Sequence, residues 1–118
     1  MDPSRTRDTL RARMAELDAR PPLEKVRDLL NGHVVDTDGW GEIRDELRMT
    51  VRHSARPLRQ GLDAIDAVLA AELPPGTLLR MVAGEAGKSL DHDPTDAGAA
   101  AFLRELAALI RSVLDEAA

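Results

Sequence analysis

The chain has 118 residues, of which 43% are hydrophobic and 31% charged, with a formal net charge of −5 and no cysteine. This length suits one hydrophobic core, so we expect a single domain over residues 1–118. The lack of cysteine excludes disulfides, thiol catalysis and Cys-ligated zinc.

No segment has the pattern of a signal peptide or of a membrane span. The first residues, Met1 to Arg5, are polar, and no apolar stretch follows them. No apolar run is longer than that from Ala99 to Leu103, which is far shorter than the roughly 20 residues that cross a bilayer. We therefore expect a soluble protein that acts in the cytoplasm and does not bind membranes.

Prolines and glycines divide the chain into about six helical segments. The first is predicted from about Pro3 to Arg20, with Asp2 as its cap, and Pro21-Pro22 ends it because neither ring donates to a helical ladder. The second helix is short and is expected to end at Asn31-Gly32, a typical left-handed stop. Its apolar face consists of Leu23, Val26 and Leu30.

Three more helices are predicted in the middle of the chain. The third begins near Asp38 and the fourth at Pro57. The break Pro74-Pro75-Gly76 precedes the fifth, which Thr77 can cap and which ends among Gly84 and Gly87. Their apolar residues recur at helical spacing: Trp40, Ile43, Leu47 and Val51 in the third; Leu58, Leu62, Ile65, Val68 and Leu69 in the fourth; Leu78, Leu79, Val82 and Ala86 in the fifth.

The sixth helix is predicted to open at Asp93-Pro94, with Asp93 as its N-cap and with Thr95 and Asp96 in its first turn. Its apolar positions span roughly 140° of the helix surface, which suits burial against several helices; they are Ala99, Leu103, Leu106, Ile110, Val113 and Leu114. With no alternating strand pattern, the sequence predicts an all-α fold, a single irregular bundle of about five to six helices.

One segment ends like a phosphate-binding P-loop. In Gly84-Glu85-Ala86-Gly87-Lys88-Ser89 the Lys-Ser pair follows a glycine, but the position five residues earlier, where a second glycine is required, is Val82. The loop is therefore too short to wrap a phosphate in the usual way. We interpret it as a glycine-rich helix terminus followed by a polar turn, and we expect no cofactor.

The acidic turn from Asp91 to Asp96 invites a metal interpretation, but its spacing matches no EF-hand loop. The three histidines, His33, His53 and His92, lie in different segments, and none has a nucleophile at a suggestive spacing. We therefore predict no metal site, no catalytic residues and no enzyme activity.

Two features allow both a structural and a functional interpretation. Arg44, Arg48, Arg52 and Arg56 recur every four residues, a spacing at which like charges repel by about 0.2–0.5 kcal/mol per pair. This arginine row could contact phosphates or an acidic partner, but we favour neutralisation within the fold by Asp45, Glu46 and the acidic C-terminal half. Trp40 is expected to pack in the core with Ile43 and Leu47, the alternative being an exposed partner anchor.

Acidic residues concentrate in the second half of the chain. Residues 60–118 hold ten Asp or Glu residues against four Arg or Lys, whereas residues 1–59 are nearly neutral. This distribution disfavours nucleic acid and favours a basic protein partner, although a need for solubility explains it equally well. The predicted partner-binding residues, which form one surface if the fourth and sixth helices are adjacent, are Asp63, Asp66, Asp91, His92, Asp93 and Asp96.

From about Leu58 to Leu114 the chain resembles the small helical immunity proteins of bacterial contact-dependent growth-inhibition and related polymorphic toxin systems. The matching features are an amphipathic helix, a Pro-Pro-Gly break, a polar loop and a closing apolar pattern: Leu62, Ile65, Val68 and Leu69; Pro74 to Leu78; Leu90 to Asp96; and Phe102, Leu103, Leu106, Ile110, Val113 and Leu114. Phe102 replaces a tryptophan common near the start of the last helix in similar proteins. The resemblance implies a stoichiometric inhibitor that masks a toxin.

The leading hypothesis is therefore a non-catalytic domain that neutralises a basic toxin, plausibly a nuclease, by covering its active surface. The alternative is a helical structural or regulatory module that acts through an adaptor contact or through homo-oligomers, burying Met49, Ala100, Ala101 and Ala108. A nucleic-acid binder that uses the arginine row is a third hypothesis, and it predicts an affinity that falls steeply with salt.

Overall fold

The structure, a computed structural model, describes residues 20–118. Within that range the chain forms five helices and no strand, which confirms the predicted all-α bundle. The helices are α1 (Pro22–His33), α2 (Trp40–His53), α3 (Arg56–Ala70), α4 (an α-helical turn, Thr77–Leu79, continued by π-helical turns, Arg80–Glu85) and α5 (Asp96–Ala117). The helix predicted from about Pro3 to Arg20, with Asp2 as its cap, lies outside the described residues except for Arg20.

The longest helix, α5, organises the bundle. It packs against α2, α3 and α4, while α1 packs mainly on α3 and more lightly on α2. One face of α5 is apolar and buried, and the rest of its surface carries charged residues and alanines. None of the helices in residues 20–118 combines the length and the apolar character that crossing a bilayer requires.

The core consists largely of the faces that helical spacing predicts. Its largest fully buried side chains include Leu30, Ile43, Leu47, Leu58, Ile65, Leu103, Leu106 and Ile110. Leu29, Val34 and Met81 are also buried, although the sequence pattern did not single them out. No polar or charged side chain is buried in the described part of the chain. Apolar burial, at about 25 cal/mol per Å², is therefore the main source of stability.

The predicted end of α1 and the predicted start of α2 are each wrong by one or two residues. Helix α1 continues through Gly32 to His33, because the amides of Val34 and Val35 both donate to the Leu30 carbonyl and hold the chain in a helical turn. The left-handed residue is Asp36, at φ 66°. Helix α2 begins at Trp40 rather than near Asp38, since Gly39 before it has an extended backbone.

The residues that precede and cap α4 and α5 also differ from the predicted ones. Gly76, at φ 86°, precedes α4, and Thr77 is already helical and donates its hydroxyl hydrogen to the Pro74 carbonyl at 2.7 Å. Thr95, not Asp93, is the N-cap of α5, and its Oγ1 accepts from the Gly98 amide at 3.3 Å. Asp93 lies two residues before Thr95, and its carboxylate accepts a hydrogen bond from the Thr95 hydroxyl.

Gly98 allows this turn to close tightly onto α5. A Cβ atom at position 98 would overlap the backbone carbonyl oxygen of Asp93. Backbone atoms cannot move aside as the end of a flexible side chain can, so any other residue here requires the turn before α5 to shift. The glycine is therefore required by close packing and not by an unusual backbone angle.

We predict that Gly98→Ala lowers the free energy of unfolding by about 1–3 kcal/mol, the usual cost of overpacking. Urea denaturation followed by circular dichroism measures this change. Gly41→Ala is the matched control, because Gly41 lies in the first turn of α2 with no atom near its ideal Cβ position. That variant should keep or slightly gain stability, since alanine favours a helix by up to about 1 kcal/mol. Equal stability of the two variants would contradict the prediction.

Candidate functional site

A groove of about 460 Å³ lies between the start of α2, the loop after α4 and the first turns of α5. Its lining includes the two aromatic residues of the chain. The Trp40 and Phe102 rings are stacked, with centroids 4.9 Å apart and planes inclined by 28°. Such a stack is a favourable arrangement of aromatic rings, so the pair forms a fixed apolar plate at this surface.

Trp40 is 36% exposed, so the prediction that it packs in the core is wrong. It is the first residue of α2, and the core side of that helix is occupied from Ile43 onward. The stack with Phe102 covers part of the indole and leaves the remainder at the surface. This position corresponds to the alternative that the sequence left open, an exposed aromatic anchor.

A second groove, of about 300 Å³, also borders Trp40. Its lining includes Arg44, Ala108 and Ser112. Trp40 and Glu105 line both grooves and therefore stand between them. We refer to Trp40, Phe102, Glu105 and the two grooves as the Trp40 face.

Lys88 fixes one wall of the larger groove. Its Nζ donates to the backbone carbonyl of Thr37 at 2.6 Å and lies 3.0 Å from the Thr37 hydroxyl, which joins the loop after α4 to the turn between α1 and α2. The Lys88 amide donates to the Val82 carbonyl across Gly87, which is left-handed at φ 67°. The P-loop-like segment is therefore a helix terminus, and its lysine is already engaged within the protein.

The acidic turn contributes a second wall. Asp91 and His92 are exposed, and His92 and Asp93 line the larger groove together with Ser89. This set does not form a catalytic relay, because the Asp93 carboxylate accepts from the Thr95 hydroxyl and not from His92. Within residues 20–118, no group of three or more His, Asp or Glu residues is arranged to hold a metal ion.

Asp96 tethers α4 to α5 and does not line the groove. Its two carboxylate oxygens accept from the amides of Gly76, at 2.6 Å, and Leu79, at 2.9 Å. These two hydrogen bonds, with the larger effect from Gly76, hold the pKa of Asp96 below its ordinary value. A carboxylate occupied in this way has a structural role, so Asp96 is a poor candidate for partner contact.

The other two predicted acids lie elsewhere on the bundle. Helices α3 and α5 are in contact, as the predicted acidic surface requires, but Asp66 pairs with Arg111 at 3.3 Å. Arg111 is 15 residues after Asp96 in the same helix, which corresponds to about 22 Å. Asp63 is exposed one turn before Asp66. The structure thus brings His92 and Asp93 to the groove, with Asp91 exposed beside them, and places Asp63 and Asp66 apart from it.

Two arginines of the arginine row are neutralised within the fold, as we favoured. Arg48 makes a bidentate contact with Glu116, at 3.0 and 3.1 Å, and Arg44 lies 3.8 Å from the same carboxylate. The hydrogen bonds from Arg48 lower the pKa of Glu116 and raise that of Arg48. The main partner therefore belongs to the acidic C-terminal half, and Asp45 adds only a smaller charge effect on Arg48.

His33 has a local structural environment. It is half-buried at the end of α1, and its Nδ1 lies 3.4 Å from the Thr50 hydroxyl on α2. Burial lowers the pKa of His33, with a smaller opposing effect from the charge of Glu46. A neutral imidazole is therefore favoured at pH 7, which suits a contact between two helices.

Sequence reasoning missed most of the groove. The signal was present in α5, where Ala101, Glu105, Ala108 and Ser112 recur every three or four residues on the side away from the buried leucines. Small side chains in such a row leave space beside the helix for a groove. The one acidic residue of the row, Glu105, is exposed there. Only the contact between α2 and α5 reveals that Trp40 borders this row.

We predict that Asp96→Asn lowers the thermal unfolding midpoint at pH 7, because an amide cannot accept both backbone hydrogen bonds. The pKa of Asp96 is lowered in the folded state, so its contribution is complete above the ordinary value of 3.8 and is lost as the pH falls through the folded value. The difference between wild type and variant should therefore shrink below about pH 4. Differential scanning calorimetry from pH 7 to pH 3 measures it.

The exposed Asp91→Asn provides the control for this series. It removes the same charge from the turn just before α5 without removing a backbone contact, so the thermal midpoint of this variant should follow that of wild type at neutral pH. A difference between Asp96→Asn and wild type that grows in acid would show that the assigned role is wrong.

No protein-family model matches the chain, and neither a curated protein nor a solved structure is significantly similar to it. The resemblance of residues 58–114 to immunity proteins therefore stays a prediction that rests on the sequence pattern.

Proposed function

We propose that the chain is a non-catalytic protein-binding domain that docks onto a basic protein through the Trp40 face. The observation that carries the proposal is the exposed position of Trp40, stacked on Phe102 between two grooves. Tryptophan is among the residues that contribute most to binding energy in protein interfaces, above all where it fills a desolvated pocket. A partner that covers this plate would bury its remaining apolar surface.

Exposure of large apolar side chains is rare in the described part of the protein. Only Trp40 and Met49 qualify there, at 36% and 57% exposed. Met49 stands nine residues after Trp40, a rotation of about 180° around α2, so it belongs to a different face. A single exposed methionine is ordinary on a protein surface, whereas an aromatic pair flanked by grooves is a coherent patch.

The charge around this patch favours a basic partner. Asp38, Asp93 and Glu105 line the larger groove, and Lys88 is the one lysine or arginine among its lining residues. The second half of the chain is also acidic, with ten Asp or Glu residues against four Arg or Lys in residues 60–118. Charge complementarity of this kind chiefly raises the association rate and selects among partners.

The specific form of binding that we propose is inhibition of a toxin in the manner of an immunity protein. The support is the resemblance of residues 58–114, together with a binding face that has no catalytic relay. The target in this proposal is a nuclease, because nucleases present basic surfaces to nucleic acid and an acidic protein can cover them.

Affinity capture from the organism that encodes the chain, followed by reconstitution with the purified captured protein, tests the proposal. We expect a basic partner whose affinity falls at least about 30-fold with Trp40→Ala, as for an interface hot spot of about 2 kcal/mol. Met49→Ala is the control and should bind as wild type does. Recovery of self-associated chain alone, or a partner indifferent to Trp40→Ala, would refute the proposal.

Homo-oligomerisation is a second candidate, favoured by the exposed Met49 on the face of α2 away from Trp40. Sedimentation equilibrium separates it from the first. A dimer that dissociates with Met49→Ala and persists with Trp40→Ala would support the second candidate, and a monomer at every concentration would eliminate it.

A further inference from the structure

The larger groove combines an aromatic plate with acidic groups. Trp40 and Phe102 supply the plate, and the carboxylates that line the groove belong to Asp38, Asp93 and Glu105. Aromatic faces attract cations through their quadrupole, and carboxylates attract them through charge. Both components therefore select the same kind of ligand group, one that is positively charged and has a flat or apolar surface.

The lysine and the arginine that line the two grooves already have internal partners. The Lys88 amine is held by the carbonyl and hydroxyl of Thr37. Arg44, in the wall of the smaller groove, lies 3.8 Å from the Glu116 carboxylate. An anionic ligand in the larger groove would therefore meet three carboxylates, and it would have to compete with internal contacts for either cation.

Glu105 is the acid best placed to meet a cationic ligand. It lines both grooves beside Trp40, is exposed, and makes no ion pair within residues 20–118. Asp93, by contrast, already accepts from the Thr95 hydroxyl. Glu105 therefore offers a carboxylate next to the indole without first losing an internal partner.

We propose that this groove receives an arginine side chain of the basic partner, with its guanidinium stacked on Trp40 and hydrogen-bonded to Glu105. This inference rests on the proposed protein-binding function and names the group that is recognised. Arginine fits better than lysine, because its planar guanidinium stacks on aromatic rings and pairs with a carboxylate through two parallel hydrogen bonds. A lysine ammonium presents a compact, strongly hydrated charge and makes neither contact as well.

The chain supplies its own probe for this site. Trp40 is its only tryptophan, and it has no tyrosine, so the fluorescence of the intact protein reports on the groove directly. The test ligand is the capped peptide acetyl-Leu-Arg-Leu-amide. The matched peptides carry lysine, or citrulline, an uncharged analogue of arginine, at the central position.

We expect a saturable change in Trp40 emission with the arginine peptide and an affinity several-fold weaker for the lysine peptide. The citrulline peptide should produce no saturable change. Glu105→Gln should weaken binding of the arginine peptide about 10-fold, in the range measured for charge-assisted hydrogen bonds. Glu24→Gln, an exposed substitution on α1, is the control and should leave the affinity unchanged. Circular dichroism verifies that both variants fold.

Equal binding of the arginine and citrulline peptides, no saturation with any peptide, or an unchanged affinity in Glu105→Gln would each overturn the arginine proposal. Its failure is distinct from failure of the proposed function. If Trp40→Ala weakens binding of the partner and Glu105→Gln does not, the proposed protein binding stands and only the arginine proposal is wrong. If the affinity of the partner is unchanged by Trp40→Ala, the Trp40 face is not the docking surface.

Discussion

Burial of one face of α5 is the constraint on which the rest of the bundle depends. Three other helices pack against this 22-residue helix, and its Leu103, Leu106 and Ile110 lie among the largest fully buried side chains. Because no polar side chain is buried within residues 20–118, the position of each helix along α5 is set by shape and apolar area and not by hydrogen bonding in the core. The opposite side of the same helix is then left for small and charged residues, which border the grooves.

The loop before α5 and the first turn of that helix convert this packing into a surface of defined shape. Asp96 binds the start of α4 through two amides, Gly98 admits the carbonyl of Asp93, and Lys88 reaches the turn between α1 and α2. The contacts of Asp96 and Lys88 join segments that are distant in sequence. Together these contacts restrict where α2 begins relative to the first turns of α5, and therefore how Trp40 lies against its aromatic partner.

The buried faces could be predicted from sequence, because helical spacing places the leucines of α5 on one side whatever surrounds the helix. Helix ends were less predictable, since Asp93 and Thr95 are both good caps and only the close approach at Gly98 shows that Thr95 is used. Of the candidate site, the exposed acidic turn could be predicted from its polarity. The surface position of Trp40 could not, because it depends on contact with Phe102 from another helix.

The contact between Lys88 and Thr37 has a consequence for motion. It joins two irregular segments that would otherwise fluctuate separately, each in the range of nanoseconds to microseconds typical of loops. Widening the groove at this wall requires the lysine to release both oxygens, so it is a cooperative local opening and not a side-chain rotation. A ligand thus meets a wall that is largely formed in advance, and little of its interaction energy is lost to ordering it.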